Sequence, residues 1–597
     1  MSEEVKINEE NQYSFENPEY RKTYWHTCSH VLAQAVKRLW PEVKLAIGPS
    51  IETGFYYDLL APFAFTPEHL EQIEAEMRKI CKEKLKLERF ELPREEAIKF
   101  MEEKDEPFKV ELINDLPADA HISFYKQGEF TDLCAGPHLD STGRIKGNAI
   151  KLTACNAAYW RGDSKRETLQ RIYGVAFPKK EELDAYLKER EEAVKRDHNK
   201  LGRELEYFTT VDCIGQGLPV LLPKGARVVQ VLQRWVEDTE QKRGYLLTKT
   251  PLMAKRDLYK ISGHWDHYKE NMYFTKIDGE DYAIKPMNCP GHIQIFNSAV
   301  RSYRDLPIRY GEFGACHRNE PSGSLHGLMR VRGFTQDDGH IFCTEDQILS
   351  ECTAYTKLVQ KVYADYGFTD ISYKIATRPE KRIGDDATWD KAEKALMDAL
   401  DASGIKYDIL PGEGAFYGPK IEYHLRDSLG RGWQCGTIQV DFQMPSRLGA
   451  EYVTESNGRA TPVMLHRAIV GSLERFIGML LEHYAGQLPP WLAPVQVAVA
   501  NITDDQADYA QEVVSMLKKA GLRAEADLRN GKITYKIREL SLQKLPYILV
   551  VGAKEKAEGK VAVRVRGGKD LGAMSVEDFI KLVQEDVATR RNVNEIE

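Results

Sequence analysis

This chain of 597 residues lacks several sequence features, and each absence excludes a class of protein. It has no run of 18 apolar residues, so no segment is expected to span a membrane. The start, Met1-Ser-Glu-Glu-Val, is acidic and has no apolar stretch, which argues against a secretory signal. The ten cysteines are scattered without a dense spacing, so reduced thiols in the cytoplasm fit better than a disulfide framework.

Nucleotide-binding loops of the common kinds are also missing. No GxxxxGK[ST] segment occurs, and Gly412-Glu-Gly414 is too weak a match to serve as a dinucleotide loop. Any ATP site must therefore use another framework, such as an antiparallel sheet. The net charge is −8, so contact with nucleic acid would depend on local basic patches.

Composition and length indicate a soluble protein of several domains. Hydrophobic residues make up 42% and charged residues 29%, and the length exceeds what one core accommodates. We predict a multidomain α+β protein, and changes in pattern divide it into a disordered tail (1–20), an α+β domain (21–179), a linker helix (180–206), a large domain (207–488) and, after Pro489-Pro490, a mainly parallel α/β domain (489–597).

Three scattered residues of the large domain are candidate metal ligands. Cys289 is expected in a turn, His340 before a short strand, and His466 at the start of a helical run. Their spacings, 51 and 126 residues, match no closed zinc finger. One interpretation is an ordinary buried thiol and two ordinary histidines. The other is convergence on one zinc ion, with a coordination position left open for a substrate.

Arginines near the same residues suggest a phosphate site. Residues 309–320 are predicted to form a strand, 321–328 a loop and 329–338 the returning strand, which brings Arg318 and Arg330 together. Arg475 stands at the start of an apolar helix. Guanidinium groups bind phosphate oxygens with two parallel hydrogen bonds, although each arginine alone could be a surface charge.

The N-terminal part carries a second cluster. His26 and His30, four residues apart, share one face of a helix, and Cys134 and His138 show the same spacing. Cysteine and histidine are natural zinc ligands, so the residues alone predict a four-ligand metal site.

These segments together resemble a known family. Arg318-Asn-Glu320 with its loop and Arg330 resembles motif 2 of the class II aminoacyl-tRNA synthetases, and Gly471-Ser-Leu-Glu-Arg475 resembles motif 3. The helix at about 226–243, leading to Thr250-Pro251, resembles motif 1, whose proline lies at the dimer interface. The segments that resemble bacterial threonyl-tRNA synthetases are Met287–His292, Gly333–Asp338 and Met464–His466.

The resemblance implies an N-terminal α+β editing domain, a class II core built on an antiparallel sheet and a C-terminal α/β anticodon-binding domain. It also implies that the small ubiquitin-like (TGS) domain of bacterial members is absent here. The implied activity is ATP-dependent ligation of L-threonine to tRNA(Thr) through threonyl-adenylate, with release of AMP and pyrophosphate and hydrolysis of mischarged Ser-tRNA(Thr). The implied cofactors are one Zn²⁺ per subunit and Mg²⁺ with ATP, and the implied assembly is a homodimer.

Roles for individual residues follow from the same resemblance. The implied zinc ligands are Cys289, His340 and His466, and the implied threonine pocket consists of Met287, Gln336, Asp338, Tyr417 and Gln439. The implied ATP-binding residues are Arg318, Glu320, Arg330, Gln434 and Arg475, and the implied catalytic residues are Arg318, Arg475, Lys420 and His264. The implied editing residues are His26, His30, Asp132, Cys134 and His138, and the implied anticodon contacts are Asn530, Glu555 and Arg564.

To select threonine over both valine and serine, an enzyme of this kind needs two sites, one for activation and one for hydrolysis. A zinc ion that demands a hydroxyl ligand rejects valine, which is isosteric but leaves the position unfilled. Serine keeps the hydroxyl and lacks one methyl group, a difference that discriminates by only about 10–200-fold. A second, hydrolytic site is therefore expected, and the cluster around His26 is the candidate.

The C-terminal part carries a local positive charge. Residues 521–570 contain twelve Lys or Arg against six Asp or Glu, which predicts an anticodon-binding surface, although a solvated charged face is the simpler alternative. A non-catalytic RNA-binding relative is disfavoured because it would not need Arg318, Glu320, Arg475 or the zinc ligands. Prolyl or seryl specificity is disfavoured by the Cys289, His340 and His466 set.

Overall fold

A computed structural model describes residues 14–117, 120–163 and 165–595. The chain divides into two compact units, residues 1–191 and 192–597. Most of the predicted disordered tail, residues 1–13, lies outside the described residues. Its last part is ordered, because Pro18 already begins the first helix. Within the described ranges, no helix has the length and apolar character needed to traverse a lipid bilayer.

The first unit is built around the helix Pro18–Leu39, which carries the predicted pair His26 and His30 on one helix. Asn17 begins this helix, since its side chain accepts hydrogen bonds from the Glu19 and Tyr20 amides. The helix buries Val31, Leu32 and neighbouring apolar residues. The other helices are Pro67–Glu83, Arg94–Glu103 and Pro107–Asp115.

Two antiparallel sheets complete this unit, as an α+β domain requires. The four-stranded sheet has the spatial order Lys44–Leu45, Phe55–Leu60, Thr168–Ala176 and Ile150–Tyr159. The three-stranded sheet has the order Leu87–Leu92, Ile122–Gln127 and Phe130–Leu133.

The predicted single linker helix is two helices, Lys180–Arg196 and His198–Glu204. The break falls at Asp197, whose carboxylate accepts from the Asn199 and Lys200 amides and so starts a new helix. The second helix packs against the protein along one side, because His198 and Leu201 are buried.

An eight-stranded, mainly antiparallel sheet forms the centre of the second unit. In spatial order its strands are Tyr245–Leu247, Ile308–His317, Gly333–Cys343, Val463–Ala468, Gly432–Asp441, Lys420–Arg426, Ser372–Ala376 and Asp408–Leu410. The helices of this region are Pro223–Gln241, Arg256–Ser262, His264–His267, Cys289–Asn297, Ile348–Asp365, Asp386–Asp401, Met444–Arg447 and Leu473–His483. Short strands outside the main sheet are Phe208–Thr209, Val220–Leu221, Met253–Lys255, Tyr273–Ile277, Glu280–Ile284, Arg301–Ser302, Tyr452–Val453 and Arg459–Ala460.

The motif 2 hairpin is confirmed, with a longer connection than predicted. Ile308–His317 pairs antiparallel with Gly333–Cys343, so residues 318–332 form the loop. The returning strand starts later than expected, because the Arg332 amide donates to the Gly217 carbonyl at 2.7 Å and not to the other strand of the hairpin. Within the loop Arg330 pairs with Glu320, at 2.8 Å.

The prediction that His466 opens a helix is wrong. His466 lies in the strand Val463–Ala468, which is central to the sheet and buried along its whole length. A short apolar run of this kind does not distinguish a buried strand from a helix. Motif 3 turns into its helix at Gly471, whose φ of +70° favours glycine, and Ser472 then caps Leu473–His483.

The C-terminal part has the predicted parallel α/β pattern. Parallel strands Ala524–Asp527, Val497–Asn501 and Tyr547–Val551 are followed in space by antiparallel Lys560–Val565 and Asp570–Ser575. The helices are Ala507–Lys519, Ile533–Leu542, Ala553–Glu558 and Val576–Thr589.

Candidate active site and a second histidine cluster

One cavity of about 330 Å³ gathers most of the predicted site residues of the second unit. It opens on the central strands of the eight-stranded sheet. The predicted residues that line it are Met287, Cys289, Arg318, Glu320, Arg330, Gln336, Asp338, His340, Tyr417, Lys420, Gln434, Gln439, His466 and Arg475.

The three candidate metal ligands meet in this cavity. Cys289, His340 and His466 are all buried, and one donor atom from each lies within 4.8 Å of the other two. His340 and His466 are paired across neighbouring strands, and Nε2 of His340 lies 3.1 Å from Nδ1 of His466. Cys289 is not in a turn but begins the helix Cys289–Asn297.

The surroundings of the three ligands suit zinc. Nε2 of His466 lies 2.9 Å from a carboxylate oxygen of buried Asp441, so this nitrogen carries the proton and Nδ1 keeps its lone pair. Burial lowers the pKa of His340 well below its ordinary value, so its ring is neutral, as a ligand must be. Asp441 gave no signal in the sequence, because nothing near it forms a motif.

Polar side chains surround the open side of the cluster. Oε1 of Gln336 is buried and meets no hydrogen-bond partner among the described residues, so it is available to a bound molecule. Tyr417 stacks on the His466 ring at 4.6 Å and donates its hydroxyl proton to Gln439. Asp338 accepts a hydrogen bond of 2.9 Å from Asn288.

Two arginines enter the cavity from motifs 2 and 3. Arg318 lies over the Phe334 ring at 5.1 Å, and its Nε donates to the Pro286 carbonyl. Arg475 donates to the carbonyls of Met329 and Gln434, at 2.7 and 2.6 Å. Burial, followed by the positive charge of Arg318 among other groups, lowers the pKa of Arg475. An anion would relieve that repulsion.

The remaining predicted residues lie around these arginines. Arg330 is paired with Glu320, while Lys420 contacts Glu422 at 2.6 Å. His264 is buried next to the cluster, with Nε2 3.4 Å from the Met287 sulfur. Burial is the main cause that lowers the pKa of His264 to about 3, so its ring is neutral.

The first unit brings the second cluster together. The Cys134 sulfur lies 3.4 Å from Nε2 of His26 and 3.1 Å from Nε2 of His138. The His30 ring lies 4.1 Å from that of His138. Burial raises the pKa of Cys134 to about 12 and lowers the pKa of all three histidines, so without an ion the group is a thiol among neutral imidazoles.

The structure adds two residues that the sequence did not single out. Lys109 pairs with buried Asp132 at 2.7 Å, and the Tyr57 hydroxyl donates to the same carboxylate. Nζ of Lys109 also donates to the Tyr57 oxygen. Their helix and strand carry no motif, so only the fold reveals them.

The predicted anticodon residues lie on three segments of the C-terminal part. Asn530 follows the strand Ala524–Asp527 and is exposed. Glu555 lies in the first turn of Ala553–Glu558, where its carboxylate accepts from the Gly552 amide. Arg564 lies in the strand Lys560–Val565, 3.6 Å from Asp570.

Family models match all three regions. Residues 122–173 match the threonyl and alanyl tRNA synthetase second additional domain. Residues 273–484 match the tRNA synthetase class II core domain (G, H, P, S and T), and residues 496–586 match an anticodon binding domain. A threonine–tRNA ligase from Herminiimonas arsenicoxydans is 59% identical over 95% of this chain and 88% of its own length. The chain belongs to the threonine–tRNA ligase family.

Other threonyl-tRNA synthetases are also similar to this chain. The threonine–tRNA ligase of Methylibium petroleiphilum is 59% identical over 94% of this chain and 88% of its own. A threonyl-tRNA synthetase RNA-binding domain from Cryptosporidium parvum is 40% identical, with a TM-score of 0.63, over 65% of this chain and 98% of its own. A threonyl-tRNA synthetase from Aeropyrum pernix is 30% identical, with a TM-score of 0.57, over 67% and 96%. The predicted multidomain α+β organisation is thereby confirmed.

Proposed function

We propose that this chain ligates L-threonine to tRNA(Thr) with ATP and hydrolyses mischarged Ser-tRNA(Thr) in its N-terminal domain. The observation that carries the proposal is the meeting of Cys289, His340 and His466 with Arg318 and Arg475 in one cavity. That cavity can bind an amino acid and a triphosphate side by side. The N-terminal cluster would supply the second, hydrolytic site, which is needed because serine can also bind in the first site.

Zinc is the metal that the donor set favours, because one sulfur and two imidazole nitrogens are its preferred ligands. Cys289, His340 and His466 would hold it, and when bound it would supply coordination positions for both the amino group and the hydroxyl of threonine. Asp441 holds His466 in the tautomer that binds metal. Met287, Gln336, Asp338, Tyr417 and Gln439 would form the rest of the threonine pocket.

Activation joins the two halves of the cavity. A carboxylate oxygen of threonine attacks the α-phosphorus of ATP, the new P–O bond gives threonyl-adenylate, and pyrophosphate leaves. Arg318, Arg475 and Mg²⁺ would offset the negative charge of the transition state. Arg330 is a further phosphate contact, Glu320 would bind the adenine, and Lys420 and Gln434 would lie near the α-phosphate.

Transfer follows in the same cavity. The ribose hydroxyl at the 3′ end of tRNA attacks the threonyl carbonyl, and AMP leaves with the phosphate oxygen. His264 is placed beside Met287 and the Cys289 sulfur, and it is our candidate for positioning the ribose.

Hydrolysis of Ser-tRNA(Thr) is assigned to His26, His30, Asp132, Cys134 and His138. Without an ion, burial raises the pKa of Cys134 to about 12, so this residue is a thiol that can position water and substrate. Lys109 charge-balances Asp132 and, with Tyr57, fixes its orientation.

The partners and assembly complete the proposal. Asn530, Glu555 and Arg564 would contact the anticodon. Around the motif 1 proline, Leu246, Leu247, Leu252 and Met253 are large apolar residues that are exposed in the single chain. Burying them against a second copy favours a homodimer. The ten free cysteines fit a cytoplasmic location.

The test compares two cysteines of the same domain. Cys289→Ser should abolish both stoichiometric zinc and threonine-dependent ATP–pyrophosphate exchange. Cys343→Ser is the matched control, because Cys343 is equally buried on the strand that carries His340 but is not one of the three ligands. Equal loss or equal retention of zinc in the two variants would reject the zinc assignment.

A further inference from the structure

A fourth histidine stands directly behind the metal cluster. His292 lies one turn after Cys289 in the helix Cys289–Asn297 and has no exposed surface. Its Nδ1 lies 2.7 Å from Nδ1 of His340, and its Nε2 lies 3.0 Å from Oε2 of Glu312. His340, His292 and Glu312 therefore form a continuous row of hydrogen bonds that ends at a candidate zinc ligand.

The direction of these bonds follows from the neighbours of His292. The Glu312 carboxylate can only accept a hydrogen bond at Nε2. The Thr248 oxygen also lies 3.0 Å from Nε2, and its own proton is directed to the Gly311 carbonyl at 3.2 Å, so it too accepts. Both neighbours thus place a proton on Nε2 of His292.

The other ring nitrogen of His292, Nδ1, faces His340. Nζ of Lys285 lies 3.1 Å from Oε1 of Glu312, so this carboxylate already has a cation besides its contact with His292. A neutral ring protonated at Nε2 has a lone pair at Nδ1. That lone pair accepts the Nδ1 proton of His340, which leaves the lone pair of His340 Nε2 facing His466.

We propose that His292 and Glu312 are positioning residues that hold His340 in the tautomer and orientation needed to bind the metal. The proposal rests on the zinc site proposed above. Outer hydrogen-bond partners of a metal-bound histidine fix its tautomer and raise its basicity, and their loss lowers metal affinity by about 10–100-fold. Thr250 strengthens the arrangement, since its amide and hydroxyl both donate to Glu312.

The experiment measures the zinc affinity of the full chain by competition with a chelator. His292→Phe keeps the ring shape and removes both nitrogens, so we expect about 10–100-fold weaker binding. His292→Asn, whose amide oxygen can accept from His340, should lose less. The absorption spectrum of the Co²⁺-loaded His292→Phe chain should also differ from that of the unsubstituted chain, because the orientation of one ligand changes.

His198→Phe is the matched control. His198 is equally buried and lies 2.7 Å from Glu482, but its other nitrogen accepts from the Leu328 amide and not from a candidate ligand. It should lose stability and keep its zinc affinity. If His292→Phe does not fold, Glu312→Gln replaces it, with the same expected direction of change.

The possible outcomes separate the two proposals. If the unsubstituted chain binds no stoichiometric zinc, or Cys289→Ser leaves its zinc affinity unchanged, the zinc site itself is wrong. If zinc binds and requires Cys289, but folded His292→Phe (or Glu312→Gln) binds it as tightly as the unsubstituted chain, only the positioning role is overturned.

Discussion

Arg467 joins the motif 1 helix and the motif 2 hairpin in one buried ionic cluster, and replacing it by methionine should destabilise the catalytic part severely. Its guanidinium lies 2.7 Å from Glu240 of the motif 1 helix and 3.0 Å from Asp337 of the motif 2 hairpin. The side chain has no exposed surface and lies 4.4 Å from the centre of the Tyr245 ring. His466 precedes it in the same strand, so the cluster also supports the proposed zinc site.

The size of the effect follows from the charges that remain. Arg467→Met leaves the buried carboxylate of Asp337 and the buried carboxyl of Glu240 without a cation, a change that costs about 3–5 kcal/mol. Glu240→Gln is the comparison variant, because Asp337 still balances the guanidinium, and it should cost only about 1–3 kcal/mol. At about 2 °C per kcal/mol, Arg467→Met should lower the melting temperature of the catalytic part by roughly 6–10 °C.

The effect should also depend on pH. Burial is the main cause that raises the pKa of Glu240 from 4.5 to about 8, against the opposing charge of Arg467, and losing the guanidinium raises that pKa further. A carboxyl whose pKa is higher in the folded state stabilises that state at low pH and loses this contribution as pH rises. Up to about pH 8 Glu240 is protonated in both folded chains, so the deficit of Arg467→Met should stay constant from pH 5 to pH 7 and grow between about pH 8 and pH 9 in thermal unfolding experiments. A deficit that is smaller than that of Glu240→Gln, or that is the same at pH 7 and pH 9, would contradict this prediction.

Three further predictions concern editing and tRNA binding. His26→Ala should leave charging with threonine intact and let Ser-tRNA(Thr) accumulate in a charging assay; unchanged deacylation would reject the editing assignment. Because burial lowers the pKa of His26, His30 and His138, their rings stay neutral and the deacylation rate should be flat between pH 8 and pH 6. A fall with a midpoint near 6.5 would contradict this. Arg564→Ala should raise the KM for tRNA(Thr) in charging and leave pyrophosphate exchange unchanged; an equal effect on both would exclude a role in anticodon contact.

Motifs with an unusual residue pattern could be recognised before the structure was known. Arg318, Glu320 and Arg475 stand in segments specific to class II synthetases, and the motif 2 hairpin was predicted, although its strands end earlier and begin later around a longer loop. The parallel α/β pattern of the C-terminal part was predictable too, because strands and helices alternate at regular spacing.

Other features depended on tertiary contacts. His466 was predicted in a helix, because the periodicity of a short apolar run is the same for a buried strand. Asp441 and His292, which contact the candidate metal ligands, could not be identified from the sequence, because distant strands and helices bring them next to those ligands only in the folded protein. The break at Asp197 is a capping effect of one side chain, which the charged linker sequence concealed.

The most direct test of the zinc-dependent selection of threonine is ATP–pyrophosphate exchange with threonine, serine and valine, with zinc content measured in parallel. We expect one zinc per subunit, exchange with threonine, weaker exchange with serine and none above background with valine. Removal of zinc should abolish exchange with threonine and serine alike. Absence of threonine-dependent exchange in zinc-replete protein, or exchange with valine as efficient as with serine, would contradict this selection.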